Sequence, residues 1–228
     1  MLAARAAIPS WFLTGVLRAD LAPDRVDTTI AETLAWLTAG QPAWPLAWLI
    51  GPLTQPADLG RHLAAHGLTE VAQLPGMAMD LRALTEAGAI PATLVIEEVA
   101  DGAALQQWAD VVTVAFEETP AFGAGLVAIH THIGVGAPSP VRHYLGRQQG
   151  QPVAAACLFL GAGVAGLYWV ATLPEVRRQG LGTALTLAAL RAARDEGYQV
   201  AILHAAPLGL PLYRRLGFQH YCTLHVYA

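Results

Sequence analysis

Val164-Ala-Gly-Leu-Tyr-Trp-Val-Ala-Thr-Leu-Pro-Glu-Val-Arg-Arg-Gln-Gly-Leu-Gly-Thr183 is the stretch from which the rest of the chain is read. Leu167 to Val170 is apolar, aromatic and β-branched, the composition of a strand. Pro174 ends that strand, because proline cannot donate to a sheet ladder. Arg177-Arg178-Gln179-Gly180-Leu181-Gly182 follows, and then a long Ala/Leu helix. Strand, glycine-bearing turn and helix N-terminus make an anion cradle. Glycine lets the backbone close in on a ligand, and the unpaired N–H groups of the first helical turn point at it. The two arginines add charge-assisted contacts. The group expected there is a phosphate or pyrophosphate.

Spacing narrows the ligand. A Walker A loop needs Lys-Ser/Thr after its last glycine, and this chain has no lysine. No Gly-x-Gly-x-x-Gly opens the helix either. What stands here is Arg177-x-x-Gly180-x-Gly182, with Val170-Ala-Thr172 and Pro174 before it. This pattern resembles the Arg/Gln-x-x-Gly-x-Gly/Ala coenzyme A signature of the GNAT acyltransferase superfamily. Downstream, Tyr213-Arg-Arg-Leu-Gly-Phe218 resembles the Tyr-x-x-x-Gly-Phe that closes the GNAT fold. The interval between the two leaves room for one helix and one strand, as that fold requires. The resemblance covers residues 93–228.

Composition is compatible with this and excludes other classes. The chain has 228 residues, enough for one large domain or two small ones with a real core. It is 54% hydrophobic and 13% charged, which rules out a disordered chain. A formal net charge of −4 offers no nucleic-acid face. The most apolar run, Ala43 to Leu53, is short and carries Pro45 and Pro52, whereas a spanning helix needs roughly 20 apolar residues. The apolar N-terminus is interrupted by Pro9, Arg18 and Asp20, so no signal peptide and no membrane segment are expected. Cys157 and Cys222 lie in apolar strand-like runs and read as free thiols in a reducing cytoplasm, with one structural disulfide as the alternative.

Along the chain, residues 10–20 and 27–39 read as helices and Trp44 to Ile50 as a strand. A helix from Pro56 and Asp58 to Ala65 ends at Gly67, and Val71 to Leu81 reads as a strand or hairpin. Residues 87–92 are a linker candidate. Thr93 to Val99 reads as a strand, and Asp101 caps a helix reaching Phe116. Residues 117–140 read as loop-rich, with a short helix near 124–130. Strands follow at 141–147, 152–160 and 164–172, then a helix to Glu196, a strand at 200–205, a helix at 212–216 and a last strand at 218–227. This order defines an α+β domain with a mixed, curved sheet flanked by helices. We expect a first domain over 1–90 and a second over 93–228.

The GNAT resemblance implies a chemistry. The fourth and fifth strands of that fold splay apart with the help of a β-bulge, and acyl-CoA lies in the gap with its pantetheine paired to strand backbone. On this basis Val170, Ala171 and Thr172 hold the pantetheine and the thioester carbonyl. Arg177, Arg178, Gln179, Gly180, Leu181, Gly182 and Thr183 hold the pyrophosphate. An amine attacks acetyl-CoA directly, and Tyr213 protonates the leaving thiolate. The resemblance has departures. Ala206 stands where many members carry Asn or Ser, and Ala201, Ile202, Leu203 and His204 stand where a glutamate base is common. Glu117, Glu118 and His204 remain as candidate bases, beside a water chain. The implied function is N-acylation of a small molecule or peptide by a cytoplasmic monomer or homodimer. A CoA-binding sensor without turnover is the alternative.

The first half echoes the second. Ala47-Trp-Leu-Ile-Gly-Pro, a helix, His66-Gly67-Leu68 and a strand to Met79 parallel Ala201-Ile-Leu-His, a helix, Leu216-Gly217-Phe218 and the final strand. Aligning Gly67 with Gly217 puts Leu63 at the place of Tyr213, and no Arg-x-x-Gly-x-Gly precedes it. The first half is therefore expected to be a smaller, degenerate GNAT-like α/β half, as in tandem members of the superfamily. His130-x-His132 has metal-like spacing but no third ligand near it in sequence, so these are expected to be loop histidines with no metal. Trp11, Trp36, Trp44 and Trp48 are expected in the core of the first half, with a substrate cleft as the alternative.

Overall fold

The computed structural model describes residues 1–40, 44–85 and 91–228. The chain divides into two compact units, one of Met1–Gly76, Ala205–Pro207 and His220–Ala228, the other of Met77–His204 and Leu208–Gln219. This differs from a cut near residue 90: residues 77–85 go with the second unit, and the C-terminal strand goes with the first. The linker candidate at 87–92 lies largely outside the described residues.

In the first unit, β1 (Leu2–Ala4) runs antiparallel to β2 (Gly15–Arg18). Helix α1 (Val26–Thr38) buries Ile30 and Leu37 from one face. Strand β3 (Ala47–Ile50) pairs in parallel with β2. Helix α2 (Leu59–Ala65) stops before Gly67, whose φ of 88° reverses the chain into β4 (Glu70–Asp80). Val16, Ile30, Trp48, Leu59 and Leu63 form a core without solvent contact. Two expectations fail here. Residues 10–20 are a turn and then β2, because pairing Gly15 with Ala47 and Val16 with Trp48 in the sheet outweighs helical propensity. Of the four tryptophans expected in the core, Trp48 is fully buried, while Trp36 is 48% exposed.

The second unit holds a mixed sheet between helices. Strand β5 (Leu94–Glu98) leads to α3 (Gly102–Ala115), whose N-cap Asp101 accepts from Ala104 N at 2.9 Å. Helix α4 (Pro120–Ile133) follows, where a loop-rich stretch was expected. Thr119 caps α4 through the Phe122 N–H, and Pro120 is pre-set for its first turn. Gly123 allows the approach to α3: a Cβ there would lie 2.6 Å from Thr113 Oγ1. Antiparallel strands β6 (Val141–Gln148), β7 (Gln151–Gly161) and β8 (Val164–Thr172) follow β5 in the sheet. Gly161, Gly163 and Gly166 have the dinucleotide-fingerprint spacing, but they lie on the β7–β8 hairpin and open no helix. Helix α5 (Leu181–Asp195) then leads to β9 (Val200–His204), which pairs in parallel with β8. Helix α6 (Leu210–Leu216) ends at Gly217, φ 100°, before β10 (Gln219–Tyr227). The end of β10 pairs antiparallel with β3 and so completes the first unit.

Strand alternation sends successive side chains to opposite faces. His143 on β6 meets Trp108 of α3, while Gly146, an odd number of residues on, faces Leu185 of α5. The two helical layers therefore cover opposite faces of the sheet. The run Ala154-Ala155-Ala156 is fully buried at its centre, small enough to let both layers close.

Candidate active site

The site starts at a defect in β8. Cys157 pairs with Tyr168 and Ala155 with Ala171, so Ala156 alone faces both Trp169 and Val170. That is a β-bulge, and Trp169 carries it with φ 51°, a conformation costly for a bulky residue. The expense is met by packing: the Trp169 ring lies edge-on to Phe116 (5.5 Å) and Phe122 (5.7 Å). The carbonyl of Ala156, opposite the bulge, accepts from the buried Trp108 Nε1 at 3.0 Å. The bulge is thus held from behind by a full-length side chain of α3.

The bulge also opens the sheet. Parallel pairing of β8 with β9 covers Ala165–Ala201 and Gly166–Ile202. Beyond it β8 runs on to Thr172 with no ladder to β9 among the described residues. Val170, Ala171 and Thr172 line this fork. Ala171 is buried, and Val170 and Thr172 are half-buried. A Cβ on Gly182 would lie 3.6 Å from Thr172 Oγ1, 3.7 Å from Leu212 Cδ1 and 4.0 Å from Val170 Cγ1. The fork, the start of α5 and the start of α6 therefore converge on one point, which the missing side chain of Gly182 leaves open.

The loop from β8 to α5 supplies the donors. Gly180 caps α5 with φ 82°, a left-handed conformation that glycine takes without strain. Ala184 N is the first amide of the helix to find a backbone acceptor, Gly180 O at 3.0 Å. The N–H groups of Leu181, Gly182 and Thr183 precede it and have no acceptor among the described residues. Gln179 and Arg178 are exposed, and Gln179 Oε1 accepts a long 3.4 Å bond from Gln148 Nε2. Arg177 differs from its neighbour. Its Nε donates to Thr172 O (3.2 Å) and its Nη2 to Ala115 O (3.1 Å), so it ties the loop to the end of α3.

Tyr213 projects from α6 and is 8% exposed. Its ring meets Phe218 edge-on at 5.8 Å, and burial pushes its pKa up to about 12. His204, the last residue of β9, lies edge-on to Tyr168 at 6.4 Å, at the register where the β8–β9 ladder stops. Part of His204 remains in solvent, yet desolvation lowers its pKa from the ordinary 6.5. Glu117 and Glu118 follow α3 in the turn before α4. Glu117 is exposed with φ 57°, and Glu118 is half-buried. Their neighbour Phe116 contacts Trp169, which brings the turn to the bulge.

Sequence reasoning did not find Trp108, Phe116, Phe122 or Trp169 as supports of this site. A separate open groove of about 790 Å³ lies in the first unit, bordered by Arg61, Glu70, His225 and Tyr227. None of the acyl-transfer candidates lines it.

The site is thus a bulged strand forking from its parallel neighbour, with three amides at the head of the next helix that have no acceptor among the described residues. Residues 139–220 match the family model of the acetyltransferase (GNAT) domain. Over that segment, from β6 to the start of β10, the chain carries a GNAT-type domain. A GCN5-related N-acetyltransferase from Kribbella flavida has a similar structure, with TM-score 0.73 and 25% identity, over 100% of this chain and 87% of that one. A functionally unknown conserved protein from Staphylococcus epidermidis shares the fold at TM-score 0.72 and 13% identity, over 96% and 85% of the two chains. So does a GCN5-related N-acetyltransferase from Sphaerobacter thermophilus, at 0.70 and 17%, over 90% and 68%. No curated protein sequence matches. Among the described residues no helix is long and apolar enough to cross a membrane.

Proposed function

We propose that the protein is an N-acetyltransferase that moves the acetyl group of acetyl-CoA directly to a primary amine of a small molecule or peptide. The observation that carries this is the fork after Gly166, closed at one end by the unpaired amides of Leu181, Gly182 and Thr183. Acetyl-CoA fits it as substrate. The pantetheine extends along Val170, Ala171 and Thr172, whose edge towards β9 has no ladder among the described residues. The pyrophosphate takes the α5 amides, Gln179, Gly180 and the exposed Arg178. Arg177 contributes by bracing the loop, since its guanidinium is already bonded to Thr172 O and Ala115 O.

Chemically, the amine nitrogen attacks the thioester carbonyl carbon, the C–N bond forms and the C–S bond breaks. A strand amide near Val170 stabilises the charge developing on the carbonyl oxygen. Tyr213 gives its proton to the departing thiolate. Its raised pKa of about 12 keeps the phenol protonated over the working range. His204 takes the proton lost by the amine, directly or through a water. It stands at the mouth of the fork, and its lowered pKa leaves it neutral at pH 7. Glu118 is the second candidate base, because its turn is joined to the bulge through Phe116 and Trp169.

The first unit fits a GNAT-like half with no cradle of its own. Helices α2 and α6 are each followed by a left-handed glycine (Gly67, Gly217) and a long strand, and fully buried Leu63 stands where Tyr213 does. One acyl-transfer site per chain, working in the cytoplasm, follows from this reading. The test is release of free thiol from acetyl-CoA across a panel of primary amines. Acetyl-CoA binding without thiol release on any amine would favour a CoA sensor instead.

A further inference from the structure

Three chemistry-bearing side chains meet on the other side of the bulge. His130 comes from α4, His143 from β6 and Cys157 from β7, where His143 and Cys157 are direct cross-strand partners. Their ligand atoms all lie within 4.8 Å of one another. The residues are 7%, 0% and 3% exposed. His143 Nε2 and His130 Nδ1 share a 2.9 Å hydrogen bond, and Trp108 lies edge-on to both rings, at 4.8 Å and 5.2 Å. The other nitrogen of His143, Nδ1, is buried with no hydrogen-bond partner. A buried polar atom left unpaired costs about 1–3 kcal/mol, so this ring lacks a second bond to fix its orientation.

We propose that His130, His143 and Cys157 form a buried binding site for a soft monovalent metal cation, copper(I). Ligand type and charge both select it. Two imidazoles and a thiolate suit copper, and the described residues offer three ligands rather than the four of a structural zinc site. Copper(I) with one thiolate and two neutral imidazoles has no net charge. Zinc(II) on the same ligands would leave a positive charge in a core where, among the described residues, no carboxylate is bonded to either ring. Burial disfavours charged imidazoles, and a buried thiolate needs a cation beside it. On loading, the sulfur–hydrogen bond breaks, its proton leaves to solvent, the His130–His143 hydrogen bond gives way to metal bonds, and the copper stays in its +1 state. His132, the other half of the His-x-His pair, is exposed and takes no part.

The test uses the full chain under anaerobic, reducing conditions with copper(I) supplied from a chelator of known affinity. One equivalent is expected to pass to the protein. At a hundredfold excess over Kd the Tm is expected to rise by about 5–10 °C. Cys157→Ser and His130→Gln lose the uptake, and Cys222→Ser, which removes the other thiol, keeps it. X-ray absorption on the wild-type protein, independent of any variant's folding, is expected to show one sulfur and two nitrogen ligands. No copper uptake, uptake unchanged in Cys157→Ser, loss in Cys222→Ser, a two-sulfur environment, or zinc(II) held in preference to copper(I) would each overturn the proposal.

Discussion

At the scale of single residues, the account rests on groups whose environments set them apart. Tyr213 and His204 are both desolvated, and their pKa values move in opposite directions, one up and one down. That is the pattern of an acid that stays protonated and a base that stays free. Tyr213→Phe is expected to leave acetyl-CoA affinity unchanged and to lower kcat by about 10²–10⁴-fold, the usual weight of a positioned proton donor, in steady-state kinetics with a titration of binding. For His204 the sign is fixed by its lowered pKa. The base is active when neutral, so the rate rises with pH through a point below 6.5 and then levels as far as this group is concerned. His204→Gln is expected to remove that acid limb, and an unchanged limb would point to Glu118. Gly180→Glu places a carboxylate against the pyrophosphate and is expected to abolish acetyl-CoA binding in calorimetry. The cradle was legible because its residues are contiguous and because spacing alone separates it from a Walker loop. The division of labour between Arg177 and Arg178 was not legible, since Ala115 is brought to Arg177 only by the fold.

Among the elements, β8 and its bulge do most to shape the site. The bulge depends on Trp108, whose indole N–H satisfies Ala156 O. Trp108→Phe keeps a ring in the core and removes that donor. It is expected to cost about 1–3 kcal/mol in denaturant unfolding and to raise the Kd for acetyl-CoA as the fork loosens. A loss of stability with no change in Kd would separate the bulge from binding. Most elements of the second unit could be read from periodicity and punctuation, as with the Asp101 cap and the turns at Gln149-Gly150 and Gly161-Ala162-Gly163. Helix α4 could not. Gly123, Gly125 and Gly134 make its sequence look like a loop, and only packing against Thr113 reveals what Gly123 is for. Strand β2 was hidden for the converse reason: its apolar residues suit a helix face equally well until β3 lies beside them. The left-handed Trp169 had no signature in sequence, because its cost is repaid by Phe116 and Phe122, far away in the chain.

For the whole molecule, the telling feature is which strand completes which unit. Residues His220–Ala228 belong with the first unit, and Met77–Leu81 with the second. A cut at residue 90, natural from the sequence, leaves the first unit without β10, which pairs with the edge of β3 away from β2. The fragment 1–90 is therefore expected to be unfolded by circular dichroism when expressed alone, and to gain structure when 93–228 is present. A folded, cooperative 1–90 fragment would contradict this division. Strand exchange of this kind leaves no local trace, because β10 has an ordinary strand composition and its partner, residues 48–50, lies at the other end of the chain. The central claim concerns turnover, and the most direct measurement is thiol release from acetyl-CoA by the purified full chain in the presence of primary amines. Release is expected to require an amine, to saturate with acetyl-CoA and to be lost in Gly180→Glu. Release that is independent of amine, or that persists in Gly180→Glu, would contradict it.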